Sequence, residues 1–185
     1  IGVNMSAQQF EDPMLIDKIR GALEETRLPP EFLELELTES SLMSDPGQAG
    51  ALLREIREVG VRIAIDDFGT GYSSLTYLHD FPLNALKIDR NFVQSVEAND
   101  RGGPIADMIV GLGKNLGLDV IAEGVETQGQ LEYLKEQGCD VAQGYLYAKP
   151  QTPEELTPWL AAHQRLSETN VRSLPRVKRD DETGT

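Results

Sequence analysis

The sequence predicts an α/β fold built on a parallel sheet. Short runs rich in Val, Ile and Leu alternate with longer amphipathic stretches, and strand-helix alternation of this kind implies parallel pairing. Several of the longer stretches carry helix start or stop signals. The six strand candidates all end in polar residues on their C-terminal side, the side on which parallel α/β folds bind ligands.

In chain order, "IGVN" opens the sequence as the first strand, and residues 12–27 form the first long helix. "LELEL" is the second strand. Residues 46–59 follow as a helix, with Leu52, Leu53, Ile56 and Val59 on one face and Gly60 placed as a C-terminal stop. "RIAID" is the third strand; "DFGTGYSS" then supplies a glycine turn and a serine cap for a helix over 73–80. "ALKID", a helix over 103–117, "DVIAE", a helix over 127–137 and "DVAQG" continue the alternation. A last helix over 153–167 starts at a capping box, with Thr152 as cap, Pro153 at the first helical position and Glu155 three residues after the cap. Residues 1–167 therefore read as one domain. Residues 168–185, with few apolar anchors, read as a disordered tail whose "RVKR" is solvated charge.

Bulk composition narrows the function. A chain of 185 residues is enough for one domain with a substantial core. Thirty-one acids against 17 bases leave a net charge of −14, which excludes a nucleic-acid groove with its basic footprint. Cys139 is the sole cysteine, so neither a disulfide framework nor a thiolate zinc site is available. No apolar run is long enough to span a membrane, and the first residues read as a strand rather than a leader.

The strand ends are, in order, Asn4, Glu36, Asp66 with Asp67, Lys87 with Asp89, Glu123, and Gln143. Any one of these acids alone is a helix cap or a surface charge; six converging ends suggest a site. Adjacent Asp66 and Asp67 are tolerable if a divalent cation neutralises them. The donors are carboxylates and an amide, and His79 and His163 lie in helical stretches away from the strand ends. Hard oxygen donors favour Mg²⁺ or Mn²⁺ over zinc. Two adjacent aspartates suit a pair of ions, which activate a water and stabilise in-line displacement at phosphorus. Lys87 then orients the water or neutralises developing charge, and Gly69 and Gly71 let the loop around Thr70 close over a substrate.

The motifs "VNMS", "LELTES", "IDDFGTGYSS", "LKIDR", "VIAEGVE" and "AQGYLYAKP", in this order from residue 3 to about 150, resemble the EAL domain, the bacterial cyclic di-GMP phosphodiesterase. The resemblance implies a modified TIM-like barrel with one strand antiparallel to the rest. It implies hydrolysis of cyclic di-GMP to linear pGpG in second-messenger signalling. By motif, Asn4, Glu36 and Asp66 are similar to metal ligands and Asp67 to a ligand of the second ion. Lys87 resembles the lysine at the nucleophilic water, Glu123 the acid serving as base or second-metal partner, and Gln143 a site-lining residue. Glu39 matches the acid that holds the "DFGTG" loop, and Glu126 is the second acid of "EGVE", close to the same site. Further implications are a homodimer through the region near that loop and upstream sensory or GGDEF-type domains. A cytoplasmic location is also implied, tethered to the inner membrane where upstream segments carry an anchor.

The Glu-Ala-Leu motif itself is absent. It belongs on a strand before Asn4, where only "IGV" stands. Six of eight strands in a chain shorter than the roughly 200 to 250 residues of a TIM barrel predict a barrel incomplete at its N-terminus. Edge strands are then unpaired, and this chain alone has little or no activity while the intact domain hydrolyses. Two other readings stay open: a cyclic di-GMP receptor that does not cleave, and an inert partial barrel.

Overall fold

The computed structural model describes residues 1–43, 45–70, 75–96 and 102–167. Ile1–Ala148 form one compact unit and Lys149–Thr185 a second. The described part of the second unit centres on one helix, Pro153–Ser167. It begins with the predicted capping box: the Glu155 N–H donates to the Thr152 hydroxyl at 3.4 Å, and the Thr152 N–H donates to the Glu155 carboxylate at 3.1 Å. The expected tail, 168–185, lies outside the described residues.

The first unit is built on one sheet with strands β1 (Gly2–Met5), β2 (Glu34–Thr38), β3 (Arg62–Phe68), β4 (Ala85–Ile88), β5 (Asp119–Ala122) and β6 (Val141–Ala142). Spatial order equals chain order, β1 to β6, and every neighbouring pair is parallel. All six expected strands are present. The antiparallel strand implied by the family is not among them. β1 and β6 are not paired with each other, so the sheet is an open run of barrel wall.

Strand side chains alternate between faces, and the two faces differ sharply. Leu35, Leu37, Ile63, Ile65, Leu86, Ile88, Val120 and Ala122 join the main core with residues from the helices. The opposite face carries only a small apolar cluster, Ala64, Ala85 and Ile121. At one end of that face Arg62 bridges Glu34 at 3.1 Å and Asp119 at 2.7 Å. At the other end, toward the strand C-termini, lie the residues considered below.

The helices of the first unit cover the apolar face. Numbered in chain order, α1 is Ala7–Phe10, α2 Leu15–Thr26, α3 Glu39–Met43, α4 Pro46–Val59, α5 Leu75–Asp80, α6 Arg90–Gln94, α7 Gly102–Leu116 and α8 Gln128–Gln137; the helix of the second unit is α9. α2 buries Leu15, Ile19 and Leu23, and α4 buries Ala49, Leu53 and Ile56, each at helical spacing. Fully burying one such Leu or Ile contributes about 1.5–3 kcal/mol. Gly60 ends α4 in the left-handed conformation at φ 98°, as its position predicts.

α1, α3, α6 and a 3₁₀ turn at Pro30–Phe32 have no counterpart in the sequence-based reading. They are too short to show a period. Local caps support two of them: Ser6 and Gln9 form a capping box on α1, and Asp89 caps α6 by accepting from the Asn91 N–H at 2.9 Å. Among the described residues, no helix is long and apolar enough to cross a membrane.

Candidate active site

Glu36 on β2, Asp66 on β3 and Lys87 on β4 all fall on the polar face, and Glu123 follows the last residue of β5. One carboxylate oxygen from each of Glu36, Asp66 and Glu123 lies within 4.8 Å of the others. The Lys87 ammonium stands among them. It bonds to Glu36, to Glu123 at 2.6 Å and to Asp66 at 3.1 Å, with its side chain 3% exposed. Small residues make room for this convergence. Ala64 and Ala85 lie on the same face, and a Cβ at Gly2 would overlap the Glu36 carboxylate.

One ammonium cannot neutralise three carboxylates. Burial disfavours the Lys87 charge, but Glu123, Glu36 and Asp66 outweigh it and hold its pKa well above the ordinary lysine value. Burial raises the Glu123 pKa; the Lys87 contact opposes this, and the negative charges of Asp66 and Glu36 add to it. The net direction for Glu123 is up, so its ionised form is held under electrostatic load.

Asp67 leaves this line. Pairing of β3 with β4 shifts register between Ile65 and Phe68. Asp67 takes a left-handed backbone at φ 53°, uncommon for any residue but glycine. A bulge re-aims side chains in this way. Asp67 is exposed and outside the carboxylate triad. Its pKa is raised, by burial first and then by the neighbouring charges of Asp66 and Asp89. Asp89 is 8% exposed and spends its Oδ1 on Asn91. After the bulge, the Thr70 hydroxyl donates back to the Asp67 carbonyl at 2.9 Å, across a turn containing Gly69. Gly71 lies outside the described residues.

Asn4 is exposed and stands opposite Glu36 in the β1–β2 register, so both share the polar face. Glu39, the first residue of α3, is 4% exposed, and its Oε2 has no hydrogen-bond partner among the described residues. That is a costly arrangement for a carboxylate. Glu126 and Gln143 lie in a neighbouring cleft of about 170 Å³ that shares Glu123.

Two side chains of this cleft, Arg90 and Tyr145, were not singled out in the sequence. Arg90 donates to Glu126 at 2.6 Å, and its guanidinium lies 6.0 Å from the centre of the Tyr145 ring. Gly124 permits this: at φ 68° its Hα side faces the Arg90 stem, and a Cβ would overlap it. Both Arg90 and Tyr145 sit inside quoted motifs, "LKIDR" and "AQGYLYAKP". Nothing local, however, indicates that residues 90 and 126 meet.

The donor set fits a hard divalent cation. Three carboxylate oxygens from separate strands converge on a span that one ion can bridge, with neither His nor Cys in the cluster.

Comparison with known proteins identifies relatives of the whole fold. The family described as "EAL domain" matches residues 1–150. The chain is 44% identical over 174 residues to the cyclic di-GMP phosphodiesterase NbdA of Pseudomonas aeruginosa, covering 94% of this chain and 22% of the relative. It is 45% identical over 156 residues to the bifunctional diguanylate cyclase/cyclic di-GMP phosphodiesterase MucR of the same organism, covering 84% and 23%. The chain thus spans less than a quarter of the length of these curated relatives. Among solved structures, the PaMucR phosphodiesterase in complex with c-di-GMP superposes with a TM-score of 0.81 at 45% identity, over 84% of this chain and 63% of that one. The EAL domain of Mycobacterium smegmatis DcpA superposes with a TM-score of 0.82 at 38% identity, over 87% and 72%.

Proposed function

The chain belongs to the EAL domain family, and on that premise we propose that its carboxylate triad serves metal-dependent hydrolysis of cyclic di-GMP to linear pGpG. One observation carries the reading: Glu36, Asp66 and Glu123 converge from three strands at the C-terminal rim of a parallel sheet. Relatives named as cyclic di-GMP phosphodiesterases, and a neighbouring structure in complex with c-di-GMP, support the substrate.

In this reading Glu36, Asp66 and Glu123, with Asn4, hold Mg²⁺ or Mn²⁺, and Asp67 contributes to a second ion. Bound there, such ions polarise the phosphodiester and lower the pKa of a water. The chain's own groups do the rest. Lys87 carries a fixed positive charge to the point where negative charge builds at phosphorus. Glu123, beside Lys87 at the same cluster, is the acid that accepts the water's proton in this reading. The cleft beside Glu123 presents the Arg90 guanidinium and the Tyr145 ring, a cationic and aromatic surface on which a planar base can stack. Glu39 and the Gly69-Thr70-Gly71 loop govern access. GGDEF-type or sensory domains upstream, a homodimer near the loop and a cytoplasmic location complete the proposal; MucR, named as bifunctional, supports the first.

The test incubates the chain, and the same chain extended upstream to the length of the solved EAL domains, with cyclic di-GMP and Mn²⁺. Formation of pGpG is followed by chromatography, with Asp66→Asn as control. The extended protein is expected to release pGpG and the control to release none. Tight binding of cyclic di-GMP with no pGpG from the extended protein would overturn hydrolysis in favour of a receptor.

A further inference from the structure

We propose that Lys87 and the divalent cation are alternative occupants of one carboxylate triad: Lys87 holds Glu36, Asp66 and Glu123 together when no cation is bound, and yields them when one binds. This deepens the metal-dependent reading above and rests on it.

The geometry is that of a shared cation. The Lys87 nitrogen touches all three carboxylates, within 3.1 Å of the most distant, Asp66. One carboxylate oxygen from each of these acids also lies within 4.8 Å of the others. A Mg²⁺ ion held by these three acids, at bonds of about 2.0–2.1 Å, would compete with the ammonium for their oxygens. Both cannot bond the same oxygens there, and their like charges repel over a few ångströms.

The surroundings suit an exchange of occupants. Lys87 is the only cation paired with these three acids among the described residues. Without it, three carboxylates would stand in a half-buried cluster with no counter-charge, which folding would oppose. The ammonium ends a flexible four-carbon stem, so it can leave the triad while β4 stays in register with β3 and β5. Arginine could not make this exchange, because its rigid fork needs a larger planar site. Lysine in this role both organises the ligands and, once displaced, remains beside the reacting phosphodiester.

The experiment uses the full 185-residue chain and Mg²⁺ alone. In protein labelled with ¹³C and ¹⁵N, the Lys87 Nζ is followed by NMR through Hε and Cε, so fast proton exchange does not hide it. Calorimetry on the same samples measures Mg²⁺ affinity for the native chain and for Lys87→Met. The Lys87 Nζ and Cε signals are expected to shift progressively with Mg²⁺ occupancy, and Lys87→Met is expected to bind Mg²⁺ at least tenfold more tightly. Saturation with Mg²⁺ while the Lys87 signals stay in place would overturn the exchange and leave the hydrolytic reading standing. Equal or weaker Mg²⁺ binding by a folded Lys87→Met would do the same. Failure of the native chain and the variant to bind Mg²⁺ at all would overturn the exchange, and the metal reading would be decided on the upstream-extended chain. If Lys87→Met does not fold, the NMR titration of the native chain decides alone.

Discussion

Replacing Glu123 by Gln isolates what the triad does electrostatically. Glu123 loses its charge but keeps an oxygen able to accept from Lys87, now 2.6 Å away. With an effective dielectric constant of about 20, that ion pair contributes roughly 6 kcal/mol of Coulomb attraction. Against it stand two repulsions, from Glu36 and Asp66, whose oxygens lie within 4.8 Å. Each is at least about 3.5 kcal/mol by the same rule, or about 7 together. Attraction and repulsion nearly cancel, and removing a half-buried charge from the balance favours the amide. The raised pKa of Glu123 expresses the same sign, since folding disfavours its ionised form. In chelator, Glu123→Gln is therefore expected to change stability by about 1 kcal/mol or less, a melting shift of about 4 °C at most. A bound divalent cation doubles the attraction and reverses the balance. Mn²⁺ affinity is expected to fall by about tenfold to a hundredfold, at least about 1.4 kcal/mol. Thermal unfolding in chelator and calorimetry with Mn²⁺ measure the two quantities. A variant that melts far below the native chain in chelator, or binds Mn²⁺ as tightly, refutes the electrostatic account.

Three further outcomes follow from the same structure. Asp67 has a raised folded pKa, so its ionisation costs stability above that pKa and nothing below the unfolded value; Asp67→Asn in chelator should raise the melting temperature near pH 7, with the gain vanishing in acid below the normal aspartate range. Gly124→Ala places a Cβ into the Arg90 stem at a positive φ and should cost about 1–2 kcal/mol from the left-handed backbone alone. A double-mutant cycle with Glu126→Gln should show the two changes coupled, because Gly124→Ala already disturbs the Arg90–Glu126 pair. Leu37→Ala empties a fully buried core position between Glu36 and Thr38 and should cost about 2–5 kcal/mol in urea unfolding.

The strands and long helices were legible because their signals are local. Alternation within "LELEL" assigns Leu35 and Leu37 to one face and Glu34 and Glu36 to the other, and the structure buries Leu35 and Leu37. The spacing of Leu53 and Ile56 marked the buried face of α4 in the same way. α1, α3 and α6 escaped because a helix of four or five residues has no period to read. Asp89 illustrates the cost: read only as a strand-end acid, it is also the cap that starts α6.

The sequence by itself determined which residues stand at the strand ends, because strand periodicity and chain order settle that without reference to distance. It also determined the chemistry available there, hard oxygen donors with one lysine. Only the tertiary structure decided which of those groups meet. Glu36 and Lys87 are 51 residues apart, and Arg90 and Glu126 are 36 apart. Their contacts depend on sheet register, including the shift between Ile65 and Phe68 where Asp67 takes a left-handed backbone, and on the space left by Gly2, Ala64 and Gly124. Those are properties of packed backbones, and no short stretch of residues encodes them. The place of the Lys87 ammonium among three carboxylates is of the same kind, since three separate strands must be in register before one charge can reach all of them.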